Sequence, residues 1–267
     1  MVFFNGDGML GIISGSGLYE IEGLSTIKSL EVDTQYGKPS GPFLECEYCG
    51  RVLYFLPRHG GNHSIPPHKV NYRANIQAMK NLGVERVISV SAVGGLNRDI
   101  CPGSIVIGDQ ILDFTKGRTN TFFDGDDVVH VDFTYPYCEE MRMIIMDSAR
   151  EKGMNVVDGG TYVAVEGPRL ETASEIAFYR SIGVDIVGMT AMPEAVLARE
   201  AEICYAGIYV VTNYAAGIKE GRLTTNEVVQ TMARSQDMVK QLLSEVLSPL
   251  DLERTCMCGD ALKDARL

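Results

Sequence analysis

No stretch of the sequence approaches the roughly 18 consecutive apolar residues that a membrane-crossing helix needs. The opening residues, MVFFNGDGMLGII, place no basic flank before their broken apolar run, so no secretory leader is expected either. Positive charge is also scarce. Against 35 Asp and Glu stand only 24 Lys and Arg, a formal charge of −11, which leaves no diffuse field to gather nucleic acid or an anionic membrane surface. An anion bound by this chain must be held locally, by a few aimed donors. Linkers, repeats and compositional breaks are missing as well, so the 267 residues read as one domain with a sizeable core. A regular cysteine framework is absent too. Cys46, Cys49, Cys101, Cys138, Cys204, Cys256 and Cys258 are odd in number and scattered, which suits a reducing cytoplasm. Cys46 and Cys49 form a C-x-x-C with no second pair at zinc-ribbon spacing and no nearby histidine, so no metal is expected. Cys256 and Cys258 form a C-x-C that reads as surface thiols, with a small disulfide as the alternative.

What is present is ordinary globular composition, 45% apolar and 22% charged. A first apolar strand runs into the glycine corner GIISGSGL (11–18), and a polar, β-rich section continues to Phe55. A loop dense in His, Gly and Pro follows (PRHGGNHSIPPHKV, 57–70), then a helical pattern over 72–82. VERVISVSAVGG (84–95) is a buried strand ending in small residues. Helices are predicted over 139–152 and 172–182, with a strand at 155–163 before the second. The strand VDIVGM, the helix PEAVLAREA, the strand CYAGIYVVT and an amphipathic helix over 225–247 complete the chain. Thr224 or Thr225 is the expected cap of that last helix, with Glu227 in its first turn. Strands alternating with helices predict a single α/β domain: a twisted, mixed, mostly parallel sheet flanked by helices, with the site at the strands' carboxyl ends.

Three of those strand ends are rich in oxyanion donors. SGSG (14–17) lets backbone amides approach an anion and adds the Ser16 hydroxyl. It lacks the third glycine of a dinucleotide loop and the lysine of a nucleoside triphosphate loop. PRHGG contributes Arg58, a planar fork suited to a tetrahedral oxyanion, and His59. SVSAVGG contributes Ser91 and open amides. Together they point to one bound phosphate.

Two further segments, VEGPRLETASE (165–175) and VGMTAMPEAVLARE (187–200), combine with these loops and with YVVTNYAAGI (209–218). Over nearly its whole length the chain resembles the trimeric purine nucleoside phosphorylase and methylthioadenosine phosphorylase family. The resemblance implies a phosphate site from Ser16, Arg58, His59, Ser91, Ala92 and Thr190, with Met189 packing under the ribose. It implies attack of inorganic phosphate on the anomeric carbon of a purine nucleoside, with no metal or organic cofactor. Such an attacker is already anionic and has only to be held in line, while the departing purine must accept charge or a proton at N7.

The base-reading positions carry Asn213, Tyr214 and Ala215. Relatives that cleave 6-amino nucleosides resemble this chain here but carry Asp at the Asn213 position and a second Asp two residues on. A carboxylate only accepts, whereas the Asn213 amide offers a donor to O6 and an acceptor for the N7 proton. Glu171 sits where 6-oxopurine enzymes of the family carry a Glu that accepts from N1–H. A turn residue at 213 and a helix-dipole carboxylate at 171 are the plainer alternatives. PRHGGNHSIPPHKVNYRANI looks more like the methylthioadenosine enzymes. FFDG (122–125) and His130 resemble the family loop that covers the 5′ pocket of a neighbouring subunit, which implies a homo-oligomer, trimer or hexamer. The expected substrates are inosine, guanosine or methylthioinosine; a methylthioadenosine phosphorylase and a non-catalytic nucleoside-binding module are the rivals, and a dehydrogenase is a distant third.

Overall fold

In the computed structural model, the described residues are 9–14, 23–221, 224–247 and 254–267. Strand β1 (Met9–Ser14) is followed by β2 (Leu24–Leu30), β3 (Phe43–Tyr48), β4 (Arg51–Pro57), α1 (Tyr72–Asn81) and β5 (Val84–Gly95). Then come β6 (Ile105–Ile107), β7 (Gln110–Phe114), α2 (Glu139–Glu151), β8 (Val156–Asp158), β9 (Thr161–Val165) and α3 (Ala173–Ser181). The chain continues through β10 (Ile186–Gly188), α4 (Ala191–Glu200), β11 (Cys204–Tyr214) and α5 (Thr225–Leu247). Among the described residues eleven strands join one sheet, and six of their ten pairings are parallel, so the sheet is mixed and mostly parallel. Among the described residues no helix is long and apolar enough to cross a membrane.

The predicted strand at 155–163 is two strands, β8 and β9. Gly159 and Gly160, at φ +80° and +148°, turn the chain between them in backbone space that a Cβ disfavours. Both strands pair in parallel, but with different partners, β6 for the first and β7 and β10 for the second. The final helix begins as its sequence indicates, the Glu227 amide donating to Thr224 Oγ1 at 3.2 Å. The helix α5 lays Val239, Leu242, Leu243 and Val246 into a core shared with β5, β6, β11 and α2.

The feature that positions the site is the central strand β5. One edge pairs with β11 from Arg86 to Gly95. The other edge changes partner. It runs parallel to β1 as far as Ser89, opposite Ile13, and antiparallel to β10 only at Gly94 and Gly95. Residues 90–93 lie between the two, where β1 has ended and β10 has not begun. A change of partner along a sheet edge opens a crevice at the strand ends, where α/β sheets take their ligands. Consistent with such an opening, Ser91 is half-buried and Ala92 exposed within a strand otherwise almost wholly buried.

Candidate active site

Three glycines bring the separate segments to this crevice. A Cβ on Gly94 would lie 3.1 Å from Val187, 3.5 Å from Ala215 and 3.5 Å from Asn213 Nδ2, so β5, β10 and the end of β11 meet there. A Cβ on Gly167 would overlap Met189 Sδ at 2.4 Å, which presses the VEGPRLE loop onto Met189. A Cβ on Gly217 would meet Ala173 Cβ at 2.8 Å, which docks the loop after β11 on the start of α3, two residues from Glu171. Ser91, Met189, Glu171, Asn213, Tyr214 and Ala215 therefore belong to one region, although their chain positions span more than a hundred residues.

Arg118, which sequence reasoning missed, fastens two of these loops together. Its guanidinium donates to the carbonyls of Met189 and Met192 at 2.7 Å each, of Glu166 at 2.6 Å and of Val165 at 3.3 Å. The fork is buried, and four carbonyls from two segments converge on it. No local pattern in TKGRTN signals this role, because every partner is distant in sequence.

Asn213 is not a turn residue. It lies inside β11, past a bulge in which Thr212 is the extra residue: Val211 faces Val93, while Asn213 faces Gly94. The bulge shifts the side-chain alternation by one and so re-aims Asn213. Thr212 Oγ1 donates to Asn213 Oδ1 at 2.9 Å, and Asn213 Nδ2 donates to the Tyr214 carbonyl at 2.9 Å. These bonds fix the amide's orientation. Ala215 is buried with Val187, Val163 and Val165 in an apolar cluster that Met189 and Tyr214 border. Tyr214 reaches outward, its hydroxyl 3.4 Å from the Arg98 carbonyl.

Glu171 precedes α3, but the carboxylate that serves that helix's N-terminus is Glu175, in a capping box with Thr172. Glu171 takes no part in that cap, and burial raises its carboxyl pKa above the usual value.

The residues expected to hold an oxyanion divide into two kinds. Ser91 Oγ is buried without a hydrogen-bond partner, an unsatisfied state that a ligand oxygen would relieve. Thr190 caps α4 by position, yet its side chain makes no capping bond. Its amide donates to Tyr162 Oη at 3.2 Å. Ser16 lies outside the described residues. Arg58, expected to face phosphate, is 1% exposed and directs its fork elsewhere. Nε and Nη2 grip Glu194 at 2.7 and 2.9 Å, Nη2 also reaches Ser89 Oγ and the Ile13 carbonyl, and Nη1 donates to the Val90 carbonyl at 3.1 Å. Arg58 thus anchors β5 one residue before Ser91. Its partner Glu194 is fully buried and also accepts from Ser89 and Tyr205. One carboxylate in the apolar run MPEAVLA was the available sign, since such a group is buried only when paired.

His59 packs its ring on His63, with centroids 4.4 Å apart, and bonds through Nδ1 to the Ile65 carbonyl at 2.8 Å. Burial first, and the Arg58 charge second, lower its pKa to about 4. The imidazole is neutral at pH 7, with Nδ1–H donating and Nε2 left as an acceptor. The unfolded chain protonates this residue near pH 6.5 but the folded one only near 4. Its contribution is intact above about pH 6.5 and is lost as pH falls toward 4, by about 3 kcal/mol. In urea unfolding, the wild type should therefore lose stability relative to His59→Gln as pH drops through that window. A gap between the two proteins that stays constant from pH 7 to 4 would contradict neutral burial. His130 lies on a different, exposed segment, where its amide donates to the Ala265 carbonyl at 2.9 Å.

Over residues 9–248 the chain matches the family described as "Phosphorylase superfamily". It is 54% identical over 258 residues to a Thermodesulfovibrio yellowstonii protein named "Probable S-methyl-5'-thioinosine phosphorylase", with 96% of each chain covered. It is 50% identical over 263 residues to a Thermococcus kodakarensis protein named "Probable 6-oxopurine nucleoside phosphorylase", covering 96% of this chain and 98% of that one. Among solved structures, methylthioadenosine phosphorylase from Schistosoma mansoni in complex with adenine matches with a TM-score of 0.91 at 32% identity, over 97% of this chain and 99% of the other.

Proposed function

We infer that this chain, which belongs to the phosphorylase superfamily, is a pentosyltransferase that cleaves purine nucleosides with inorganic phosphate and is built for 6-oxopurines. The observation that carries the base assignment is Asn213, set past the bulge against Gly94, with the apolar Ala215 following it where a second carboxylate would otherwise stand. Nδ2 of Asn213 donates to O6 once it leaves the Tyr214 carbonyl. Oδ1 accepts the proton that gathers at N7. Glu171 accepts from N1–H, and Met189 lies under the ribose.

Phosphate occupies the crevice beside residues 90–93. Ser91 Oγ, the Ala92 amide and Thr190 donate to it. Nε2 of His59 accepts from the O–H of monohydrogen phosphate. Arg58 acts from behind by holding the Val90 carbonyl and by its charge. A phosphate oxygen forms the new bond to C1′ as the C1′–N9 bond breaks, and the bonding pair leaves with the purine, which takes up a proton. Donors fixed before the reaction need no reorganisation as charge moves, which is where such sites gain most of their rate. No cofactor takes part. The exposed segment that carries His130 suits a neighbour's 5′ pocket, so the working form is a homo-oligomer, trimer or hexamer, in the cytoplasm.

A panel of inosine, guanosine, methylthioinosine, adenosine and methylthioadenosine, each with and without phosphate, tests the reading. Base release should require phosphate and be faster for the three 6-oxopurines. Adenine released from methylthioadenosine faster than hypoxanthine from either inosine or methylthioinosine would establish the 6-amino alternative, and tight binding without cleavage would make the protein a binding module.

A further inference from the structure

We propose that Cys138, Cys204, Cys256 and Cys258 form a tetrathiolate site for one zinc ion, which fastens the C-terminal segment to the core. The sequence points away from a metal because the only conventional spacing is Cys46-x-x-Cys49. Those two separate in the fold, Cys46 buried in β3 and Cys49 exposed in the turn beyond it. The four that converge come from three places: Cys138 caps α2 by position, Cys204 opens β11, and Cys256 and Cys258 flank the exposed Met257 at a short 3-10 turn. All four Sγ atoms lie within 4.8 Å of one another, and Cys204 and Cys256 are 3.3 Å apart. Zinc–sulfur bonds of about 2.3 Å place the corners of a tetrahedron about 3.8 Å apart. Shifts of about 1 Å or less, inward for the wider pairs and outward by about 0.5 Å for Cys204 and Cys256, therefore fit the cluster to an ion.

The surroundings fit that charge. A zinc ion with four thiolates carries two net negative charges, which need compensation in a buried place. Cys138, Cys204 and Cys258 are 2%, 0% and 5% exposed within the main apolar core. Arg199 donates toward Cys258 Sγ at 3.9 Å. Arg254, held by the Glu202 carbonyl at 2.9 Å and paired with Glu85 at 3.5 Å, packs over Gly259, the residue after Cys258. Four sulfur donors in tetrahedral array select zinc over hard cations such as magnesium or calcium. Binding deprotonates the thiols and releases their protons to solvent.

The consequence reaches beyond the cluster. The segment that carries Cys256 and Cys258 runs on to pair with the exposed segment that carries His130, through a Val129–Arg266 bridge and bonds from the His130 amide to Ala265 and from the Leu267 amide to Val128. Zinc thus holds the strand-like edge on which the proposed neighbour-facing segment rests.

The test uses the full chain, purified under reducing conditions, with metal content read by mass spectrometry and thiols counted by reagent. About one zinc per chain is expected, with only the exposed Cys49 and Cys101 free to react in the folded protein, the buried Cys46 reacting once denaturant is added and the four ligands only when a chelator is added as well. Cys256→Ser and Cys258→Ser should each lower zinc content about tenfold, while Cys49→Ser should leave it unchanged. Cobalt should replace zinc with the intense sulfur-to-metal absorption of a four-thiolate site, a readout that does not depend on the variants folding. Fewer than about 0.1 zinc per chain in folded protein, iron in its place, or peptides lighter by two hydrogens per cysteine pair would overturn the proposal.

Discussion

Glu194→Ala is expected to destabilise the fold by about 3–5 kcal/mol, because it leaves the Arg58 guanidinium buried and uncompensated. The pair is 1% and 0% exposed, so water cannot take over the lost contacts. Burial alone disfavours the charged guanidinium. The charge and hydrogen bonds of Glu194 more than offset that and raise its pKa. Two further donors lose their acceptor in the same variant, Ser89 Oγ and Tyr205 Oη, and each unsatisfied buried group adds about 1 kcal/mol or more. Urea unfolding at neutral pH would measure the effect, as a fall in midpoint at constant slope. Changing both residues to methionine should recover much of the loss, since an apolar pair of similar volume avoids the unpaired charge. A Glu194→Ala loss below about 1 kcal/mol would mean that the network is not what holds Arg58. Activity separates the positioning role from the structural one: in folded Arg58→Met/Glu194→Met protein, the KM for phosphate should rise, because the Val90 carbonyl is no longer anchored beside Ser91.

The same network shows what a sequence can disclose. Strand β5 was legible from Val84 to Gly95, and α5 from its cap to Leu247, because both follow from periodicity within one segment. The segments that meet at the crevice stood out because each is a local cluster of unusual residues at a strand end. Arg58 stood out in PRHGG as an arginine expected to face phosphate, but the group that turns its fork inward lies 136 residues away, and no spacing rule links them. Arg118 was missed for the same reason. The short strands β6 and β7 carry too few residues to establish a period, and the glycine pair at 159–160 breaks an apolar run that otherwise reads as one strand. The cysteine cluster is the extreme case. Its four members lie on three elements, and only the packing of α2 and the C-terminal segment against β11 brings them together.

Asn213→Asp is expected to lower the inosine-to-adenosine ratio of kcat/KM by about 10²-fold or more, equivalent to about 3 kcal/mol of lost discrimination. In the wild type the amide presents one donor and one acceptor, and Thr212 Oγ1 occupies the acceptor side at 2.9 Å. A carboxylate at 213 keeps that bond but loses the donor. It turns an oxygen toward both O6 of a 6-oxopurine and the Tyr214 carbonyl, which Nδ2 now faces at 2.9 Å. The side chain is 7% exposed, so solvent does little to relieve either repulsion, and the carboxyl pKa rises. That gives the variant a signature a merely disruptive substitution would lack. As pH falls the Asp takes up a proton, regains a donor and recovers inosine cleavage relative to wild type; as pH rises it loses both. Adenosine, with its 6-amino donor, should follow the opposite trend. Adding Ala215→Asp supplies the second carboxylate and should push the ratio further toward adenosine, because it replaces an apolar contact with an acceptor for the amino group. If the ratio for Asn213→Asp stays within twofold of wild type across pH, the base is read elsewhere, and Glu171, with its raised pKa and no part in the α3 cap, becomes the residue to vary.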